Sequence, residues 1–284
     1  MNDYNAEEQL INQFTEDFQA NRIELPILPS IALRVRNALD DLDIDAAKIA
    51  RIIQADPSIA MRVIQVANSP AYSTQNKVDN LKEAITRMGF SGVSSVVNSL
   101  TLAQLFKTNS VALRNRMEKL WKHSTMTAAI SHVIAGMTPG FNPEKALFAG
   151  LVHDIGVIPI LAYAQSNQQL LADIPRLDGF TENFKGQAGA MLLDRWGFEV
   201  ELGTVAIESE KWTRNPTEKA DYCDLVMLAQ IHGYFGKPEF AKIPNITSLP
   251  VFKKFPLTEK GPEESFKIMG EAKGQIREVL KLLM

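Results

Sequence analysis

Two stretches decide the fold: Ile53-Gln54-Ala55-Asp56-Pro57-Ser58-Ile59 and Val66-Ala67-Asn68-Ser69-Pro70-Ala71-Tyr72. Asp56 followed by Pro57 has the form of an N-cap and first-turn proline, because the aspartate can accept from free amides and proline has no amide to lose. Asn68-Ser69-Pro70 then stops the helix in a polar turn, where Asn68 can bond its own turn and fix the next helix. Outward from this unit the same grammar recurs. Ile49, Ile52 and Ile53, and Ile31, Val35, Ala38 and Leu39, repeat at three- and four-residue spacing. Asn142-Pro143 repeats the start signal, Asn80 and Glu83 have capping-box spacing, and Met88-Gly89 and Trp196-Gly197 are stops. Gly89 is expected to end its helix in a left-handed conformation. Strict apolar and polar alternation flanked by turns is almost missing, so the chain is predicted to be all-α.

The periodicity divides the chain. Residues 1–21 read as an N-terminal helical extension, 22–110 as several short helices, and 111–236 as longer helices carrying the histidines. Residues 237–262 contain five prolines, which predicts an irregular loop. The apolar Ile246, Leu249, Val251, Phe252, Phe255 and Leu257 between them predict that it packs on the body, and 263–283 reads as one closing helix, so 237–284 forms a tail unit.

The 284 residues are 45% hydrophobic, enough for a substantial core. Thirty basic against 33 acidic residues leave a charge of -3, giving no general attraction to nucleic acid or an anionic membrane. Arg34, Arg36, Lys48, Arg51 and Arg62 are interleaved with Asp40, Asp41, Asp43 and Asp45, which reads as a mixed solvated face. The N-terminus lacks a basic start and apolar run, and no apolar stretch is expected to approach the roughly 20 residues that span a bilayer. With a single cysteine, Cys223, the expectation is a cytoplasmic protein. Cys223 has two acidic neighbours and, along the chain, only Lys219 as a nearby base, so a raised thiol pKa is expected.

The sharpest chemical signal is Gly150-Leu151-Val152-His153-Asp154-Ile155-Gly156, an imidazole beside a carboxylate near a helix end. Two such ligands can turn toward one divalent ion. The plainer reading is a core histidine with Asp154 capping the next turn, and the dipeptide alone does not separate the two. His123 could converge on the same point from the preceding helix. His132, nine residues on, points to the opposite side and reads as packing or surface. His232 sits near a helix C-terminus, which suits a partly charged imidazole with no ligand role.

The order of blocks resembles the HDOD (HD-related output domain) family. The blocks are Leu25-Pro26-Ile27-Leu28-Pro29, the two stretches quoted first, Leu81-Lys82-Glu83-Ala84-Ile85-Thr86-Arg87-Met88-Gly89, Trp121-Lys122-His123-Ser124, the segment around His153-Asp154, and Gly189-Ala190-Met191-Leu192-Leu193-Asp194-Arg195-Trp196-Gly197. The resemblance spans about 22–236. It implies an HD-domain-like multi-helical bundle with an additional N-terminal helical subdomain, degenerate with respect to the HD metal-dependent phosphohydrolases. Active relatives hold metal with a His, a His-Asp pair and a later Asp. By resemblance His123, His153 and Asp154 match the first three, whereas Gln230 stands where the carboxylate belongs. Lys185 and Ser209-Glu210-Lys211 stand where many relatives carry further histidines, and a lysine there disfavours a cation.

The expectation is therefore a non-catalytic signal-transduction protein that binds a signalling partner or small ligand, with no catalytic residue and no cofactor; a divalent metal on the residual triad stays open. No nucleic-acid or membrane partner is expected. The alternative is a phosphohydrolase of nucleotide or cyclic-dinucleotide phosphodiesters that recruits Asp194, Glu208, Glu210 or Asp224 as the missing ligand.

Overall fold

The computed structural model describes residues 2–283 apart from 24, 26, 27, 40, 42, 70, 71 and 73–75, with the side chains of 2–7 left aside. Expectations placed on Pro26, Ile27, Asp40, Pro70 and Ala71 lie outside the described residues. Among those described, every regular element is helical and none is a strand.

Four helices build the N-terminal half: α2 (Ser30–Leu39), α3 (Ala46–Ile53), α4 (Pro57–Ala67) and α5 (Leu81–Leu102). Ile31, Val35, Ile49, Ile53, Val63, Ile85 and Val97 share its core. The start signals operate through their side chains: Asp45 accepts from Lys48 N, Asp56 from Ser58 N and Ile59 N, and Asn80 from Glu83 N. Asn68 donates to Ile64 O and Val78 O and accepts from Val78 N at 2.9 Å, so one amide joins the end of α4 to the entry of α5. Gly89 corrects an expectation. Its φ of 71° comes with ψ of 168°, a glycine-only region outside the left-handed helix basin, and α5 kinks there and continues.

The helix α1 (Asn2–Gln19) packs into the other half, where Phe14 is fully buried against Tyr163, Phe180 and Phe184. That half consists of α6 (Val111–Gly136), α7 (Pro143–Val152), α8 (Val157–Ser166), α9 (Gln168–Ala172), α10 (Ile174–Arg195), α11 (Val200–Glu208) and α12 (Tyr222–Tyr234). The small buried face of α6, with Ser124, Thr127, Ala128 and Ser131, lets α7 come very close. A methyl group on Gly150 would lie 2.7 Å from the Ala128 Cα. Gly197, at φ 69°, ends α10 with Phe198 N bonded to Leu193 O and Gly197 N to Asp194 O, the Schellman pattern.

Residues 143–166 overturn the expectation that no stretch is long and apolar enough to cross a bilayer: Pro143–Ser166, 24 residues, meets that test. It is two helices broken at His153-Asp154, and 89% of its apolar window is buried in the fold, so core packing accounts for its composition.

The proline-rich segment is more regular than an irregular loop. It forms short 3-10 turns at Pro238–Lys242, Ile246–Ser248, Pro250–Lys253 and Pro256–Thr258, three of them led by a proline. Leu249, Val251, Phe252, Phe255 and Leu257 are buried with residues of α6 and α12. The end of the chain is two helices, α13 (Pro262–Glu271) and α14 (Lys273–Leu283), interrupted at Ala272. Arg62 of α4 caps α14 by donating to Lys281 O and Leu282 O.

Candidate metal centre

Backbone closeness builds this site. The tight α6 and α7 contact at Gly150 brings His123 of α6 beside His153, which caps the C-terminus of α7. The turn through Asp154 then reaches Gly156, where a Cβ would fall 1.9 Å from Lys185 O and 2.3 Å from Gly189 N. Only glycine permits that approach, and it sets α10 directly against the turn. The Lys185 side chain is thereby delivered to Asp154. Glu210, in the turn after α11, and Tyr234, at the end of α12, complete the surroundings.

One donor atom from each of His123, His153 and Asp154 lies within 4.8 Å of the others. His153 Nδ1 donates to Gly150 O at 2.7 Å, which fixes the tautomer and leaves Nε2 as an acceptor facing His123 Nε2 at 3.0 Å. Asp154 Oδ2 stands 3.6 Å from His123 Nε2 and 3.5 Å from His153 Nε2. Its other oxygen, Oδ1, accepts from Lys185 Nζ at 2.9 Å, and the same ammonium reaches Glu210 Oε2 at 2.8 Å. Tyr234 stacks on the His123 ring, its hydroxyl 3.3 Å from Nε2.

Burial works against the Asp154 charge, but Lys185 and the two histidines outweigh it and hold the carboxyl far below its ordinary range. Lys185 is correspondingly raised, since Asp154 and Glu210 overcome its desolvation. His123 is lowered to about 4 by burial and then by His153, and His153 is lowered by burial. At neutral pH the cluster holds two neutral imidazoles around a charged Asp154 and Lys185 pair. Glu210 is raised by burial and by Asp154.

The structure brings together His123, His153 and Asp154. Asp154 does not cap the next turn; its side chain goes to Lys185. Gln230 is fully buried on α12 and donates from Nε2 to Ser209 O at 3.0 Å, holding the turn that carries Glu210, while its Oε1 has no hydrogen-bond partner. Of the carboxylates considered as replacements, Glu210 is across the Lys185 ammonium, Glu208 and Asp224 pair with Arg214, and Asp194 is exposed. His132 faces away, 3.8 Å from Glu144. Burial works against the Glu144 charge, but hydrogen bonds from His132 and Tyr72 lower its pKa. His232 corrects the expectation of partial charge: burial lowers it to about 4, and it bonds Ser265 at 2.9 Å. Cys223 is raised chiefly by burial, and its basic neighbour in space is Arg214, not Lys219.

Tyr234 was missed in the sequence. Its signal was present: it follows Gln230 by four residues on one helix, so both present to the same side.

Two imidazole nitrogens and a carboxylate oxygen are suitable donors for a transition ion, and the His153 bond to Gly150 O is the kind that orients a metal-binding histidine. The charge does not fit. A fixed ammonium 2.9 Å from the Asp154 oxygen already neutralises the site's one carboxylate ligand, and no other His, Cys, Asp or Glu joins the cluster among the described residues. The residues present therefore do not suit a resident divalent ion.

The HDOD domain family model matches residues 25–211. A crystal structure from Shewanella amazonensis SB2B, provisionally named a metal-dependent phosphohydrolase, is similar at 24% identity and TM-score 0.80, covering 98% of this chain and 99% of that one. An HDOD domain protein of unknown function from Geobacter sulfurreducens aligns with TM-score 0.67 at 22% identity, over 99% and 98% of the two chains. A provisionally named signal transduction protein from Marinobacter aquaeolei VT8 has TM-score 0.66 and 18% identity, covering 98% of this chain and 66% of that one. An uncharacterized protein of Treponema pallidum (strain Nichols) is 23% identical over 192 residues, 62% of this chain and 36% of that protein, so the match spans about a third of that relative. At these identities the solved structures establish the HD-like helical fold, and the family match across about 66% of the chain establishes membership: the chain belongs to the HDOD family.

Proposed function

We propose that this protein is a non-catalytic signalling or regulatory module of the cytoplasm, acting by binding a partner protein or a small ligand. The observation that carries the reading is the ion pair of Lys185 with Asp154, which neutralises by a side chain the carboxylate that a hydrolytic metal would need. Hydrolysis of a phosphodiester requires a metal-activated water and neutralisation of the phosphate charge, and the Lys185 ammonium is engaged by two carboxylates. The name of the Marinobacter protein points to the same class of role. Nucleic acid is not the expected partner: Arg36 donates to Trp196 O and lies over Phe198, Arg62 caps α14, and Lys48 bonds Asp43 O.

The test is metal analysis of protein purified without chelator or added metal, with assays on p-nitrophenyl phosphate esters and a cyclic dinucleotide. The reading expects less than one-tenth equivalent of metal and no turnover. Stoichiometric metal with hydrolysis abolished by His153→Ala would overturn it.

A further inference from the structure

Resting on the reading of a module that binds a small ligand, we propose that the cleft between the two helical halves, walled by α2, α5, α7 and the turn into α11, is a site for an adenine nucleotide. The cleft holds about 470 Å³, the size of a small-molecule pocket, and shares no residue with the histidine cluster. Its floor is a polar row on one face of α5. Ser91, Ser94, Ser95 and Asn98 recur there at three- and four-residue spacing. Asn98 is 8% exposed and Ser95 9%. Yet among the described residues the Asn98 carboxamide has a single hydrogen bond, from Nδ2 to Ser94 Oγ at the far limit of 3.5 Å, and the Ser95 hydroxyl has none. Buried polar groups are nearly always paired, because an unpaired one forfeits its hydration; a row left open toward a cleft is paired by what enters it.

The other walls supply an apolar face and one available cation. Phe148 and Phe198, with ring centroids 5.2 Å apart, line the cleft with Leu39 and Leu202. Lys145 is engaged by Glu199 at 2.9 Å and Glu201 at 2.7 Å. Arg36 pairs with no carboxylate among the described residues. Its Nη1 donates to Trp196 O at 2.6 Å and its guanidinium lies over Phe198, which fixes the head group. Nη2 is left beside the bare Gly197, where a Cβ would stand 3.4 Å away. A ligand matched to these walls has a flat body, an edge with a donor next to an acceptor, and one terminal anion. An adenine nucleotide has all three: a carboxamide pairs with the adenine edge through two hydrogen bonds, the ring lies along the phenylalanines, and a guanidinium takes the phosphate. Guanine shows two acceptors on that edge, which a carboxamide cannot match. A single available arginine holds one phosphate group and does not make a surface for a nucleic-acid backbone.

The test is isothermal calorimetry of AMP with the full-length protein, set against GMP, adenosine and inorganic phosphate. AMP is expected to bind once per chain, about tenfold more tightly than GMP, which mismatches the carboxamide, and about tenfold more tightly than adenosine, which lacks the phosphate. Asn98→Leu, which keeps the volume and removes the carboxamide, is expected to erase the preference for AMP over GMP. Arg36→Gln is expected to erase the preference for AMP over adenosine. Independently of how either variant folds, photolysis with 8-azido-AMP is expected to label the wild type in the peptides carrying residues 91–98 or 197–202. No AMP binding at about 1 mM, inorganic phosphate or GMP binding as tightly as AMP, folded variants that keep both preferences, or label confined to other peptides would each overturn the proposal. Those outcomes leave the metal and turnover results, and with them the non-catalytic reading, where they stand. Phosphodiester turnover by the wild type defeats that reading, while AMP binding and the labelled peptides are still read separately.

Discussion

Gly156→Ala is the smallest change that should disturb the centre. The added methyl would stand 1.9 Å from Lys185 O and 2.3 Å from Gly189 N, both backbone atoms of α10. Relief to an ordinary contact requires α10 to retreat by about 1.5 Å or more, and no side-chain rotation can substitute for that movement. Overpacking costs about 1–3 kcal/mol, and a clash with rigid helix backbone belongs at or above the upper end. The same retreat draws Lys185 from Asp154, loosening a buried pair. The expected loss is about 3 kcal/mol, or roughly 6–12 °C in Tm at the size-appropriate 2–4 °C per kcal/mol. Urea denaturation followed by circular dichroism measures it. Gly179→Ala is the control on the same helix: its Cβ would meet nothing within 4 Å, so it should gain up to about 1 kcal/mol from helix propensity. If Gly156→Ala unfolds within about 0.5 kcal/mol of wild type, the close approach does not hold α10 in place and the account of how Lys185 reaches Asp154 is wrong.

Acid should weaken the fold before Asp154 titrates. His123 and His232 have folded-state pKa values of about 4 against 6.5 unfolded, so between those values the unfolded chain binds more protons and stability falls as pH falls. Each histidine contributes at most about 3 kcal/mol to that loss; equal urea midpoints at pH 7 and pH 4.5 would refute the assignment of both as buried and neutral. Arg214, almost fully buried and bonded to Glu208, Asp221 and Asp224, should cost about 3–5 kcal/mol when replaced by Met, because buried Asp224 keeps the Lys254 ammonium and the Asp221 amide but loses its guanidinium; a variant as stable as wild type would show the network to be dispensable. Asn68→Ala removes two hydrogen bonds to Val78 at the approach to α5 and one to Ile64 O within α4, and should lower stability by about 2–3 kcal/mol in the same denaturation assay. Cys223, buried with a raised pKa, should react with a disulfide reagent at pH 8 only as fast as the protein unfolds, and rapid labelling of the native chain would contradict its placement.

The sequence alone determined that the chain is helical and where many helices begin and end. Those signals are local: Asp56 with Pro57, Asn80 and Asn142 act on amides two or three residues away, and Trp196-Gly197 ends its helix through its own turn. The family was legible for the same reason, being written as an ordered series of short blocks. The convergence of His123, His153 and Asp154 was foreseen as an implication of that resemblance. The tertiary structure decided the state of the cluster. Lys185 is 31 residues from Asp154, and Glu210 is 25 residues further on; their meeting at 2.9 and 2.8 Å depends on a backbone approach at Gly156 that no sequence spacing announces. Burial decided the rest, since the neutrality of His123 and His232 follows from surroundings supplied by distant segments. Even the fate of 143–166, apolar and long enough for a bilayer, was set by the neighbouring helices that bury it.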